Sequence, residues 1–132
     1  MNVLKGKIEN LSISGSLTLI GIEVNNIGMS AIVIDTPETA PYLKLGNTIT
    51  AVFKETEVII GKGNTFEISL RNKFEGTIET IESNDLLSKL NINTAVGQIC
   101  SIITTNAVTQ LNLKIGSKVT AMIKTNEIMV SE

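Results

Sequence analysis

"LKLGNTITAVFKETEVII" (43–60) and "LKIGSKVTAMIKTNEIMV" (113–130) are one segment written twice in a chain of 132 residues. The offset is 70, and it holds without a gap back to the start, where "LKGKIENL" (4–11) lies over "FEGTIETI" (74–81). Of the 62 pairs that residues 1–62 form with 71–132, 15 are identical, far above chance. Gly6/Gly76, Gly46/Gly116, Ala51/Ala121, Lys54/Lys124 and Glu57/Glu127 are among them, and most others exchange like for like, as Val58/Ile128 does. The chain therefore reads as two copies of one unit. The first spans 1–62 and the second 66–132, joined near "GKGNTF" (61–66). Units of about 65 residues are marginal alone, so the copies are expected to pack on each other or on further subunits.

Within a unit the pattern is mostly strand. In the second copy a strand is expected from Phe66 through "GTIETI", with Phe66, Ile68 and Leu70 on one face and Ser69 and Arg71 on the other. "ESND" is a turn signal, "LLSKLNINTAV" alternates loosely, and "GQICSIIT" reads as a buried strand. "TNAVTQLNL" suggests a helical turn capped by Thr105 or Asn106, ended by the glycine of "KIG". "SKVTAMIKTNEIMV" closes the unit with two strands. Strand, strand, strand, short helix, strand, strand resembles a five-stranded Greek-key barrel of the OB type. The fold class is therefore mainly β, with two such barrels in tandem and one short helix in each. In the first copy "DTPETAPYLKL" takes the helix's place, with Thr36 as cap and Pro37 at the first helical position.

Composition narrows the function. Hydrophobic residues make up 42%, yet aromatics only 3%, so Ile, Val, Leu, Met and Ala must build the core. Net charge is −2, evenly spread, and no basic stripe offers a polyanion platform. With no histidine, His-based acid–base catalysis and His metal sites are excluded. The single cysteine, Cys100, lies in the apolar run "ICSII" and reads as a buried thiol. No stretch is long and apolar enough for a signal peptide or a membrane span, so the expectation is a soluble cytoplasmic protein.

The polar residues that distinguish the second copy are Ser69, Arg71 and Asn72 before Gly76, and "TTNA" (104–107) before the helical turn. The first copy has Met1 and Asn2 opposite Arg71 and Asn72, and "IDTP" (34–37) opposite "TTNA". Lys54 and Lys124 end the fourth strand in both. A cluster of donors with two cations suits a tetrahedral oxyanion, which offers only acceptors. A solvated strand face with a capping Thr is the plainer reading of the same residues.

The stretch "ISLRNKFEGTIETI" resembles the S-x-R-N-x-x-x-G-x-(V/I) opening of the Mop domain, the molybdate/tungstate-binding unit of molbindins. "ITTNAVTQLNLKIGSKVTAMIKTNEIMV" is similar to that family's Leu-x-Leu…Gly…Ala…Lys series. The resemblance covers 66–132 and, more weakly, 1–62. It implies an OB-like barrel, a ring of six units, hence a trimer of tandem chains, and oxyanions held between units with no metal cation. Carried over residue by residue, the oxyanion-binding set is Ser69, Arg71 and Lys124, with Asn72 and Thr125 beside them. Thr104 and Ala107, with Thr105 and Asn106 between them, come from a neighbouring unit. Ala107 departs from the family's hydroxyl residue. The first copy departs further, leaving Asn2 and Lys54 as weaker candidates, so the two copies are expected to bind unequally.

The resulting expectation is a non-enzymatic homo-oligomer that binds molybdate or tungstate for intracellular storage or homeostasis. A ring-forming structural or regulatory module without ligand is the alternative. A nucleic-acid-binding OB protein needs stacking aromatics in a basic groove, and three Phe and one Tyr do not supply them. No nucleic-acid or membrane partner is expected.

Overall fold

A computed structural model describes residues 1–63 and 67–132. Ten strands form two five-stranded antiparallel sheets. The first copy contributes β1 (Asn2–Ser14), β2 (Leu17–Val24), β3 (Ile27–Val33), β4 (Thr48–Phe53) and β5 (Ile59–Gly61). The second contributes β6 (Asn72–Ser83), β7 (Leu87–Thr94), β8 (Gly97–Thr104), β9 (Lys118–Ile123) and β10 (Met129–Ser131). A short helix, α1 (Thr105–Gln110), follows β8, and 3-10 turns at Glu55–Glu57 and Thr125–Glu127 follow β4 and β9.

The sheets run β10-β4-β1-β2-β3 and β5-β9-β6-β7-β8, so the copies exchange their fifth strands. Val130 lies opposite Ala51, and Ile60 opposite Ala121. β10 also packs against β3, and β5 against β8, curling each sheet toward closure. The buried cluster is continuous across both copies and includes Ile20, Ile22 and Phe53 from one and Leu90, Ile92 and Ile123 from the other.

Each long first strand serves two partners. β1 pairs with β4 through Asn2–Lys7 and with β2 from Lys7 onward, and its register shifts between Ile8 and Asn10. β6 repeats this, shifting between Ile78 and Thr80. The extra residue at each bulge, Glu9 or Glu79, bends the strand so that one segment spans two sides of a barrel. Gly6 and Gly76 sit just before the bends. A Cβ at Gly76 would lie 2.5 Å from the Asn93 carbonyl oxygen, and one at Gly6 2.5 Å from that of Glu23. Only glycine admits this approach.

Three expectations change. β6 begins at Asn72, because its ladder with β9 ends at the pair Asn72↔Ile123. Glu67–Ser69 form a bend, so Ile68, Ser69, Leu70 and Arg71 do not line a strand, and the expected start at Phe66 falls outside the described residues. Helix α1 is capped by Thr104, not Thr105 or Asn106: the Ala107 N–H donates to Thr104 Oγ1 at 3.1 Å. In the first copy the helix is reduced to one turn, in which the Thr39 and Ala40 N–H groups both donate to the Thr36 carbonyl. Thr36 does not cap it; the Thr36 N–H instead donates to Thr39 Oγ1 at 2.9 Å.

Candidate functional site

Arg71 directly precedes β6 and Lys124 directly follows β9. They leave the sheet one position beyond the pair Asn72↔Ile123, side by side on adjacent strands. Lys124 also caps the 3-10 turn that begins at Thr125. Arg71, Lys124 and Ser69 are exposed and Thr125 is half-buried. Among the described residues Arg71 and Lys124 form no ion pair. Two cations thus leave one end of the second sheet, with Ser69 two residues before Arg71 and Thr125 directly after Lys124.

Asn72 does not join them. It is buried to 1% exposure and lies between the copies. Its Oδ1 accepts from the Ser30 N–H, and its Nδ2 donates to the Ser30 carbonyl, both at 2.8 Å. The amide imitates a strand partner for the edge of β3. Asn2 does the same for β8, accepting from the Cys100 N–H at 2.7 Å and donating to the Cys100 carbonyl at 2.8 Å. A buried amide bonded on both sides is poorly placed to turn outward. The reading of Asn72 and Asn2 as anion donors is therefore corrected: they clamp one copy to the other.

The "TTNA" segment lies at the opposite end of its own sheet. Thr104 pairs with Leu87 at the start of β7, whose neighbour Ser88 pairs with Ser83 at the end of β6. β6 has 12 residues, and at about 3.3 Å per residue even a bent strand separates Arg71 from Thr104 of the same copy widely. Several donors of this segment are already committed. Thr105 Oγ1 donates to the Asn84 carbonyl at 2.9 Å and lies 2.9 Å from Ser88 Oγ, while its N–H donates to the Leu86 carbonyl. Thr105 therefore fastens the helix start to the β6–β7 turn. The Ala107 amide is taken by Thr104. Thr104 and Asn106 remain exposed, and Ala107 is half-buried with no hydroxyl to offer.

The packing between copies is crossed. The turn Thr125–Glu127 lies on β3, whose end runs into Ile34–Pro37; the turn Glu55–Glu57 lies on β8, whose end runs into Thr104–Ala107. Within one chain, then, the turn after Lys124 packs on the strand that leads to the donor-poor segment, and the turn after Lys54 on the strand that leads to the donor-rich one. Glu55, next to Lys54, accepts from the Met1 amino group at 2.9 Å. That bond holds its carboxyl below the usual range, with a smaller contribution from Lys89. Cys100 is half-buried on β8, and burial pushes its thiol up, away from the reactive thiolate.

Among the described residues no group of His, Cys, Asp and Glu is arranged to hold a metal ion, and no helix is long and apolar enough to cross a membrane. Sequence reasoning missed Glu55, although the 70-residue register places it opposite Thr125.

Comparison with known proteins bears on this arrangement. Residues 68–130 match the TOBE domain. The molybdenum transport protein ModE of Herbaspirillum seropedicae is 32% identical over 92 residues, covering 67% of this chain; the chain spans 34% of that relative's length. The cytoplasmic molybdate-binding protein ModG, in a molybdate-bound crystal form, superposes with a TM-score of 0.91 at 26% identity, covering 98% of this chain and 94% of its own. MopII from Clostridium pasteurianum is 28% identical and aligns with 50% of this chain and 100% of its own at a TM-score of 0.48.

Proposed function

The chain belongs to the Mop/TOBE family, and from that premise we propose that it binds molybdate or tungstate for storage or homeostasis in the cytoplasm. It is a binding protein and not an enzyme. The observation that carries the proposal is the exposed pair Arg71 and Lys124, each one residue beyond the last pair of β6 and β9, with Ser69 and Thr125 next to them in sequence. Arg and Lys supply charge, the two hydroxyls supply donors, and the dianion's oxygens accept from all four. The ligand needs no metal cation. The chain-length likeness to a molybdate-bound protein supports the same reading.

The crossed packing adds a requirement. Joining Ser69, Arg71, Lys124 and Thr125 to a Thr104–Asn106 segment requires a second copy of the chain, because the chain's own Thr104 lies against the other end. A trimer, with sites between units, meets this requirement. The domains follow the repeat, 1–62 and 66–132, each lending its last strand to the other. Ala107 favours the alternative, a ring-forming module without ligand, because it removes one donor.

Isothermal titration with sodium molybdate tests the proposal. Wild-type protein is expected to bind in the micromolar range or tighter, and Arg71→Ala to bind about tenfold or more weakly. Equal binding by the two proteins, or none by either, would refute it.

A further inference from the structure

The first copy carries Glu55 where the second carries Thr125, and the backbone presents the two positions alike. Lys54 and Lys124 enter their turns at φ −75°, ψ 148° and φ −69°, ψ 146°. Val58 and Ile128 leave them at φ −87°, ψ 119° and φ −97°, ψ 124°. Glu55 and Thr125 therefore leave the backbone at matching positions of the two turns. Its side chain is 26% exposed, and its Oε2 accepts from the amino group of Met1, the residue in register with Arg71, in an ion pair of 2.9 Å. The turn packs on β8, the strand that leads to Thr104. The charge is felt there, adding to the burial that raises the Cys100 thiol.

We propose that Glu55 determines which copy binds, acting as a tethered carboxylate that bars an oxyanion from the first-copy site beside Lys54 and the Thr104 segment. This rests on the reading that the chain binds oxyanions. A carboxylate has only acceptors, so it cannot donate to an oxyanion as Thr125 can. Its negative charge repels a dianion at contact range. Being part of the chain, it also neutralises the nearby cations at an effective concentration that a dilute ligand does not match. The first copy thus keeps the fold and the shared lysine while excluding the anion.

Native mass spectrometry with added sodium molybdate tests this on the full chain, using wild type, Glu55→Thr, Glu55→Gln, Arg71→Ala and Glu55→Thr/Arg71→Ala. Glu55→Thr is expected to raise the number of ions bound per chain above that of wild type, since like-charge juxtaposition is costly. The added ions are expected to survive Arg71→Ala. Glu55→Gln removes the charge at nearly constant shape and should act in the same direction, which guards against a folding defect in the Thr variant. Unchanged stoichiometry in both Glu55 variants, with wild type binding and all assemblies of equal mass, overturns the inference alone. Binding by Glu55→Thr but not by wild type supports it and removes the second-copy site instead. No binding by any variant overturns both readings.

Discussion

Replacing Asn72 with alanine should cost stability through the other copy. Asn72 is 1% exposed, and its amide satisfies both the N–H and the carbonyl of Ser30 at 2.8 Å. Its own neighbours on β9 would remain paired; the stranded groups lie on the outer edge of β3, an edge strand of the first sheet. An unsatisfied buried backbone group costs about 1–3 kcal/mol. Ser30 is half-buried, so partial access to water places the two groups near the low end, about 2–4 kcal/mol together. For a chain of this length each kcal/mol moves the melting temperature by about 4 °C, giving a fall of about 8–16 °C. The repeat supplies an internal control. Asn2→Ala strands Cys100 in the same way and should cost a similar amount. Asn106→Ala, on an exposed side chain, should stay within about 0.5 kcal/mol of wild type. Thermal unfolding followed by circular dichroism measures all three. A fall under about 3 °C for Asn72→Ala would refute the clamp and return Asn72 to the candidate anion donors.

Gly76→Ala places a Cβ 2.5 Å from the Asn93 carbonyl oxygen and 2.7 Å from Ile92 Cγ2, so it should destabilise by about 1–3 kcal/mol or more in urea unfolding. Ser101 is fully buried and donates to the Val58 carbonyl at 2.9 Å across the copies; Ser101→Ala should lower the urea midpoint by about 1–2 kcal/mol equivalent with an unchanged slope. Thr104→Ala removes the α1 cap and should cost about 1 kcal/mol, and in titration it should also weaken molybdate binding.

The repeat made the architecture legible, because an offset of 70 residues matches Gly6 to Gly76 and Lys54 to Lys124 without a gap. Loose alternation located β7, with Ser88, Leu90 and Ile92 inward against Lys89 and Asn91 outward, and the apolar run "GQICSIIT" located β8. The exchange of β5 and β10 was not legible. Ile59–Gly61 and Met129–Ser131 are three-residue strands of similar character, and each sets an aliphatic residue opposite an alanine, Ile60 on Ala121 and Val130 on Ala51. Chain geometry between copies decides that pairing, and local pattern carries no trace of it. Asn2 and Asn72 were misread for a related reason. A polar residue at a strand start suggests solvent, whereas their partners lie 98 and 42 residues away. Ser69 and Arg71 were placed on a strand that begins only at Asn72, where the ladder with Ile123 starts. Both are exposed, and Arg71 lies one residue beyond the pair Asn72↔Ile123, as Lys124 does.

The most direct test of the account is an anomalous difference map from a molybdate-soaked crystal, recorded at the molybdenum absorption edge. The account predicts a peak within hydrogen-bonding distance of Arg71, Lys124 and Thr125, and none beside Lys54 and Glu55. Equal peaks at both lysines, or peaks only beside Lys54, would contradict it.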